Sequence, residues 1–177
     1  KMKAEVIYFA DQENFPYGKK SVSELRRIIN KTISTLKKEF KPDVIVVGSN
    51  TPSILFGGYK LSKIIGVYPP LKEALKKTKT SSIAILSTQN VVKSKALDDL
   101  IRKNVSKKVK VLKINASPLV ELVESGKFID QKQYCMNKIK SLLQKPLEDN
   151  QVDVVTLSST HLPFILPLLH QLFPKIE

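Results

Sequence analysis

The chain has 177 residues, 42% of them hydrophobic. That suffices for one ordinary domain or two small lobes with a real core, and it excludes wholesale disorder. No apolar run reaches the roughly 20 residues of a membrane span, and the single cysteine, Cys135, excludes an internal disulfide framework and any multi-cysteine zinc site. The formal net charge of +14 would attract polyanions, but only Arg26, Arg27 and Arg102 among the 30 basic residues are arginine. Arginine supplies the commonest specific base contact. The lysines are spread along the chain, so a solvated basic surface is expected rather than a nucleic-acid site.

The opening "KMKAEVIYFADQ" meets a carboxylate too early for a signal peptide. A strand is expected almost at once, with no Met in first place, so the chain is expected to be a fragment. "AEVIYFA" (Ala4 to Ala10) reads as that strand, and "DQENFPYGKK" as a loop. "SVSELRRIINKTISTLKKEF" puts Val22, Leu25, Ile28, Ile29, Ile33, Leu36 and Phe40 on one helical face, with Ser21 and Glu24 as a capping box. "DVIVVG" reads as a buried strand. "TPSILFGGYKLSKI" reads as a helix weakened by Gly57-Gly58, and "GVYPPLKEALKK" as a turn into another helix.

"SIAILS" and "KVKVLKIN" read as strands around the helix "TQNVVKSKALDDLIRKN". "SPLVELVESG" is a helix with Ser117 as cap, Pro118 in first place and Gly126 as stop. "DQKQYCMNKIKSLLQK" is a helix with Cys135 on its core face. "VDVVTLS" is a strand, and "HLPFILPLLHQLF" a helix whose regular part begins late because of Pro167. Alternating strands and helices give an α/β fold with mainly parallel sheet. Ligands of such sheets bind beyond the carboxyl ends of the strands, where Asp11, Ser49 and Ser159 are placed.

Two of those ends are alike: Ser49-Asn50-Thr51 in "VIVVGSNTPS" and Ser159-Thr160-His161 in "VVTLSSTHLP". With "FADQENFPYG" they resemble, in order, three signature blocks of the cofactor-independent glutamate racemases of the aspartate/glutamate racemase superfamily. "GVYPPLKEAL", "LSTQNVVKSKAL" and "SPLVELVESG" follow the family's order as well, so the resemblance covers nearly the whole chain.

The resemblance implies two pseudo-symmetric α/β lobes with a ligand cleft between them. Residues 1–67 plus 167–177 would form the first lobe and residues 68–166 the second. It implies inversion at the α-carbon of a small acidic amino acid, glutamate or aspartate, without pyridoxal phosphate or metal. The family uses one cysteine per lobe, a thiolate removing the α-proton and a thiol returning it from the far face. Here both cysteine positions are serine. Ser49 and Ser159 would therefore stand at the acid/base positions, supported by Asp11 and His161. Pro16, Tyr17 and Gly18 match the family's carboxylate-binding loop, and Asn50, Thr51 and Thr160 match positions that hold the substrate's charged ends. The two serine hydroxyls are expected to face one another across the cleft, each about 3–4 Å from the α-carbon.

The departure decides the chemistry. A thiol titrates near pH 8.5 and is readily lowered, whereas a serine hydroxyl needs an adjacent base to act at all. His161 can assist Ser159, and nothing comparable neighbours Ser49 in sequence. Val91 also replaces a usual threonine, and the family's Asp-Ser block and its final strand and helix are expected to be missing. A weak or inactive racemase is the expectation, in the cytoplasm, compatible with a homodimer. The alternative is a non-catalytic binding protein that senses an acidic metabolite or docks a polyanionic partner. In plainer terms, Ser49 and Ser159 read as helix caps, Asp11 as a turn cap and His161 as a helix-start residue.

Overall fold

The computed structural model describes residues 4–57 and 63–177. In chain order the elements are α1 (Val22–Phe40), β1 (Ile45–Val47), α2 (Asn50–Phe56), β2 (Ile64–Gly66), α3 (Leu71–Lys77), β3 (Ser82–Ser87), α4 (Gln89–Val92), α5 (Lys95–Asn104), β4 (Lys110–Asn115), α6 (Ser117–Glu124), α7 (Lys127–Asp130), α8 (Lys132–Asp149), β5 (Val154–Leu157) and α9 (Leu166–Leu172). Short 3₁₀ turns cover Tyr17–Lys19 and Leu162–Ile165. Among the described residues no helix is long and apolar enough to cross a membrane.

Among the described residues the strands form two separate sheets: β1-β2, and a three-stranded sheet in the order β4-β3-β5. Every pairing is parallel. β3 is central and fully buried, and its alternation builds two cores. Ile83 and Ile85 face Ile54, Leu71, Val91 and Leu97 from α2, α3, α4 and α5. Ala84 and Leu86 face the other way, onto Leu119 of α6, Cys135, Ile139, Leu143 and Leu147 of α8, and Leu168 and Leu169 of α9. The smaller sheet carries its own core, where Leu25, Ile29 and Ile33 of α1 meet Ile45 and Phe56. Ile54 of α2 reaches the larger sheet, so α2 packs on both bodies.

α1 forms on the face its periodicity dictates, with Leu25, Ile28, Ile29 and Ile33 buried. The Ser21 hydroxyl accepts the Glu24 N–H at 3.2 Å. The reciprocal half of the capping box goes elsewhere, because the Glu24 carboxylate takes the Lys20 ammonium at 3.1 Å.

Several expectations need correcting. Residues 167–177 do not pack with the first body: α9 lies in the core beneath β3. Past α9 the chain returns alongside β5, where the Glu177 carbonyl accepts the Val155 N–H at 2.6 Å and the Glu177 N–H donates to the Asp153 carbonyl at 3.0 Å. "AEVIYFA" is not a strand. It pairs with no strand among the described residues, and Val6 and Tyr8 are 85% and 88% exposed. Strand propensity alone cannot supply the neighbour a ladder requires.

β1 is half buried rather than buried throughout, with Val46 62% exposed. The helix expected from Thr51 ends at Phe56, Ile64 belongs to β2, and residues 58–62, Gly58 among them, lie outside the described residues. The helix expected after β3 breaks into α4 and α5 because the Ser94 hydroxyl restarts it, accepting the Leu97 N–H at 3.2 Å.

Candidate functional site

Among the described residues all five strands are parallel to their neighbours, so the loops after β1, β3 and β5 each leave a carboxyl end. The first corner runs from β1 through Gly48 and Ser49 into α2. Ser49 occupies the N-cap position, yet its side chain makes no capping bond. The corner is pinned instead by Ser53, which is fully buried. Its hydroxyl lies 2.7 Å from the Ser49 carbonyl and 3.2 Å from that of Val47, and accepts the Val67 N–H at 3.1 Å. That bond needs β2 close: a Cβ on Gly66 would sit 2.9 Å from the Ser53 side chain.

The third corner follows β5. The Ser158 N–H donates to the Leu86 carbonyl at 2.8 Å, extending the sheet by one bond. The Ser158 hydroxyl donates to Asn50 Oδ1 at 3.3 Å, tying this corner to the first. A second tie lies deeper, where the buried hydroxyls of Thr51 and Thr88 meet at 3.2 Å. Thr88 belongs to the loop after β3, so all three corners meet at one place.

The loop before α1 closes over them. Asn90 of α4 donates its amide to the Lys20 carbonyl at 2.8 Å and to that of Gly18 at 3.2 Å. Phe15 stacks on the His161 ring, with centroids 5.6 Å apart and planes 28° from parallel. The loop thereby carries Pro16, Tyr17 and Gly18, all partly buried, to the same region.

The two serines differ in what surrounds them. Ser159 is buried and its Oγ lies 3.3 Å from His161 Nδ1. The other ring nitrogen, Nε2, is paired with a Glu124 carboxylate oxygen. Ser49 is half buried, and its side chain has no hydrogen-bond partner among the described residues. Asp11 is tied into its own loop: one carboxylate oxygen accepts the Tyr17 hydroxyl at 2.7 Å and the other the Asn14 amide at 2.7 Å. Burial, then the hydrogen bond to Asp11 and the charge of that carboxylate, push the Tyr17 phenol well above its ordinary range. Thr160 is exposed.

Glu124, Ser158, Thr88, Asn90 and Phe15 were not singled out from sequence. A signal exists for all five, since Glu124 lies in "SPLVELVESG", Thr88 and Asn90 in "LSTQNVVKSKAL", Phe15 in "FADQENFPYG" and Ser158 in "VVTLSSTHLP". The sequence makes Ser117 the expected cap of α6, but Ala116 holds that position. The Ser117 hydroxyl instead accepts the Gln89 N–H at 3.0 Å, steadying α4 under the site, while Asn115 Oδ1 accepts the Ser117 N–H at 3.0 Å. Among the described residues no group of three or more His, Cys, Asp or Glu is arranged to hold a metal ion.

No family model matches the chain. Among curated proteins it is 33% identical over 177 residues to a glutamate racemase of Clostridium botulinum, covering 96% of this chain and 66% of that one. A Bacillus cereus glutamate racemase is 33% identical over 173 residues, covering 96% and 63%. The chain thus spans slightly under two thirds of these relatives' length. Among solved structures, a Bacillus anthracis glutamate racemase superposes with a TM-score of 0.75 at 27% identity, covering 92% of this chain and 61% of that one. The Escherichia coli glutamate racemase, solved with L-glutamate and the activator UDP-MurNAc-ala, gives 0.76 at 24% identity over 93% and 63%, a likeness of fold.

Proposed function

The chain belongs to the glutamate racemase family, and from that premise we propose that it holds a small acidic amino acid where its three strand-end corners meet. Ser49 and Ser159 take the two acid/base positions. Inversion of the bound amino acid is lost or slowed to a small fraction of that of a thiol pair. The observation that carries this reading is the bond between Ser158 and Asn50, which sets the neighbours of the two serines against each other. Glutamate racemases of Escherichia coli and Francisella tularensis have been solved with L- and D-glutamate, which supports glutamate as the first ligand to try.

The chemistry follows from the groups present. Proton transfer works best when a group's pKa lies near the working pH, and a serine hydroxyl lies far above it. On one face the hydroxyl of Ser159 has an imidazole within reach. On the other, no titratable side chain among the described residues is in hydrogen-bond contact with Ser49, and Asp11 accepts from Tyr17 and Asn14 of its own loop. Inversion needs both faces, so the poorer one sets the rate. Binding asks less of the site. The Asn50 amide, Thr160 and the loop of Pro16, Tyr17 and Gly18 can engage carboxylate and ammonium groups without any proton transfer.

The double serine equally favours a second reading, a non-catalytic protein that senses an acidic metabolite. The single buried cysteine suits the cytoplasm, where we place the chain. Circular dichroism of a concentrated incubation with D- or L-glutamate, alongside a calorimetric titration, tests the proposal. Binding with turnover far below about 1 s⁻¹, the low end of typical enzymes, supports it. Turnover at or above that rate would contradict the crippled pair, and absence of binding by glutamate and aspartate would contradict the ligand.

A further inference from the structure

The arrangement of Ser159, His161 and Glu124 has a chemistry of its own. A carboxylate only accepts hydrogen bonds. With Glu124 against Nε2, the proton of a neutral His161 ring is held on Nε2, and Nδ1 presents its lone pair to Ser159 Oγ 3.3 Å away. The ring cannot easily turn out of this alignment, because Phe15 lies stacked on its face. A hydroxyl, an imidazole as its base and a carboxylate that fixes the tautomer make up the nucleophilic serine constellation, recognised by geometry and not by chain order. The 3.3 Å separation is long for such a bond, as is common before a substrate compresses it.

An acyl-transfer site also needs donors for the oxyanion. The main-chain N–H groups of Ser159 and Thr160 lie between β5 and the following 3₁₀ turn, and neither donates to any acceptor among the described residues. The N–H of the residue after the nucleophile is a recurrent oxyanion donor. The plain alternative is a serine closing a local turn, since Ser159 Oγ also accepts the His161 N–H at 3.4 Å. Such a turn requires neither the Glu124 contact nor the stacked ring.

We propose that Ser159 is a nucleophile toward small activated carboxylic esters, with His161 as its base and Glu124 as a positioning residue. Ser159 Oγ bonds to the ester carbonyl carbon while its proton passes to His161 Nδ1, and the negative oxygen faces the N–H groups of Ser159 and Thr160. The carbon–alkoxide bond then breaks, and the departing alcohol takes the proton from Nδ1. Water attacks the acyl-serine, gives a proton to Nδ1, and Ser159 recovers it as the acid leaves. The sum is ester plus water to acid plus alcohol. The inference does not rest on amino-acid binding: serine labelling and glutamate titration can each fail while the other succeeds.

A fluorophosphonate probe, which phosphonylates activated serines, tests this on the whole folded chain. Peptide mapping by mass spectrometry should place a stoichiometric adduct on Ser159 and none on Ser49, with urea abolishing the reaction. His161→Gln should slow labelling by at least about 100-fold, the usual worth of a general base. For Glu124→Ala, the ¹⁵N shifts of the ring should change from a single Nε2–H tautomer to a mixture, and labelling should slow while far-UV circular dichroism stays unchanged. The chain has two histidines, so the resonances are readily assigned. Absence of an adduct on Ser159, equal labelling of Ser49, or a rate indifferent to His161→Gln would each overturn the proposal. The mapping on the unsubstituted protein stands whether or not a variant folds.

Discussion

Asn50 and Ser158, which stand 108 positions apart in the chain, meet side chain to side chain at 3.3 Å. Asn50 follows Ser49 and Ser158 precedes Ser159, so one hydrogen bond brings two strand-end corners from different sheets to a common point. The proposed amino-acid site depends on that junction. Ser158 is buried, and Ser158→Ala removes the donor while leaving the Asn50 carbonyl oxygen without its partner. The expected loss is about 1 kcal/mol of stability, or a fall in Tm of about 2–4 °C for a chain of this size. Calorimetry measures the first effect, and a glutamate titration should show weaker binding because Asn50 is no longer held.

Restoring thiols should restore acid/base competence. Ser49→Cys together with Ser159→Cys places groups that ionise near neutral pH on both faces. Racemisation of glutamate is expected to rise by at least about 100-fold over the parent, while either single substitution gives much less. Polarimetry or circular dichroism reads the outcome directly. A double variant as slow as the parent would mean that the serines are not the elements limiting inversion.

Asp153 should govern part of the acid stability. Its carboxylate accepts the Thr78 hydroxyl at 2.6 Å and the N–H groups of Lys79 and Thr80 at 2.6 and 2.8 Å, fastening the turn before β3 to the start of β5. Burial pushes this carboxyl up, but those hydrogen bonds outweigh it and hold its pKa below the usual carboxylate range. The folded pKa is depressed, so its contribution is present above the unfolded value of about 3.9 and is lost as pH falls through the folded one. Asp153→Asn is expected to cost about 1–3 kcal/mol at neutral pH and progressively less below about pH 4. Thermal melts across pH 2.5 to 7, set as working limits of about that range, check both statements.

Tyr17 is expected to act at the opposite end of the scale. Its phenol is held neutral by burial and by Asp11, so its folded pKa is raised. The stability it contributes is present below the unfolded value of about 10 and is lost as pH rises toward the folded pKa. Phenolate absorbance assigned to Tyr17, taken as the difference between parent and Tyr17→Phe, should therefore appear only well above about pH 10. Tyr17→Phe also strips Asp11 of one hydrogen-bond donor, which is expected to loosen the Pro16–Gly18 loop and weaken glutamate binding.

The parts of the fold legible in the sequence are those that local pattern decides. "SIAILS" became β3 residue for residue, because a short run of apolar residues between turns suits a strand covered on both faces. α1 followed from its apolar period and from Ser21. Where a partner decides, the sequence was silent or misleading. "AEVIYFA" has the letters of a strand but lies exposed without a neighbour among the described residues. The body that α9 joins is not legible, because nothing in "LPLLHQL" says which core its leucines meet.

The same division runs through the site. Ser49 and Ser159 are legible because they repeat at like corners, and His161 because it falls in a quoted family block. Glu124 went unnoticed because its contact with His161 crosses from α6 to the turn after β5, a relation no spacing encodes. Asp11 was expected to support proton transfer. It is bound to Tyr17 and Asn14, residues of its own loop, a local choice that required side-chain geometry to see.

The most direct measurement is a crystal structure of the chain grown with D-glutamate. The account places the amino acid between the two serines, with Ser49 Oγ and Ser159 Oγ on opposite faces of the α-carbon and each within about 3–4 Å of it. The hydroxyls would then stand roughly 7 Å apart, with Asn50 and the Pro16–Gly18 loop on the charged ends. Glutamate bound elsewhere, or hydroxyls pointing to separate surfaces more than about 15 Å apart even after allowance for closure, would contradict it.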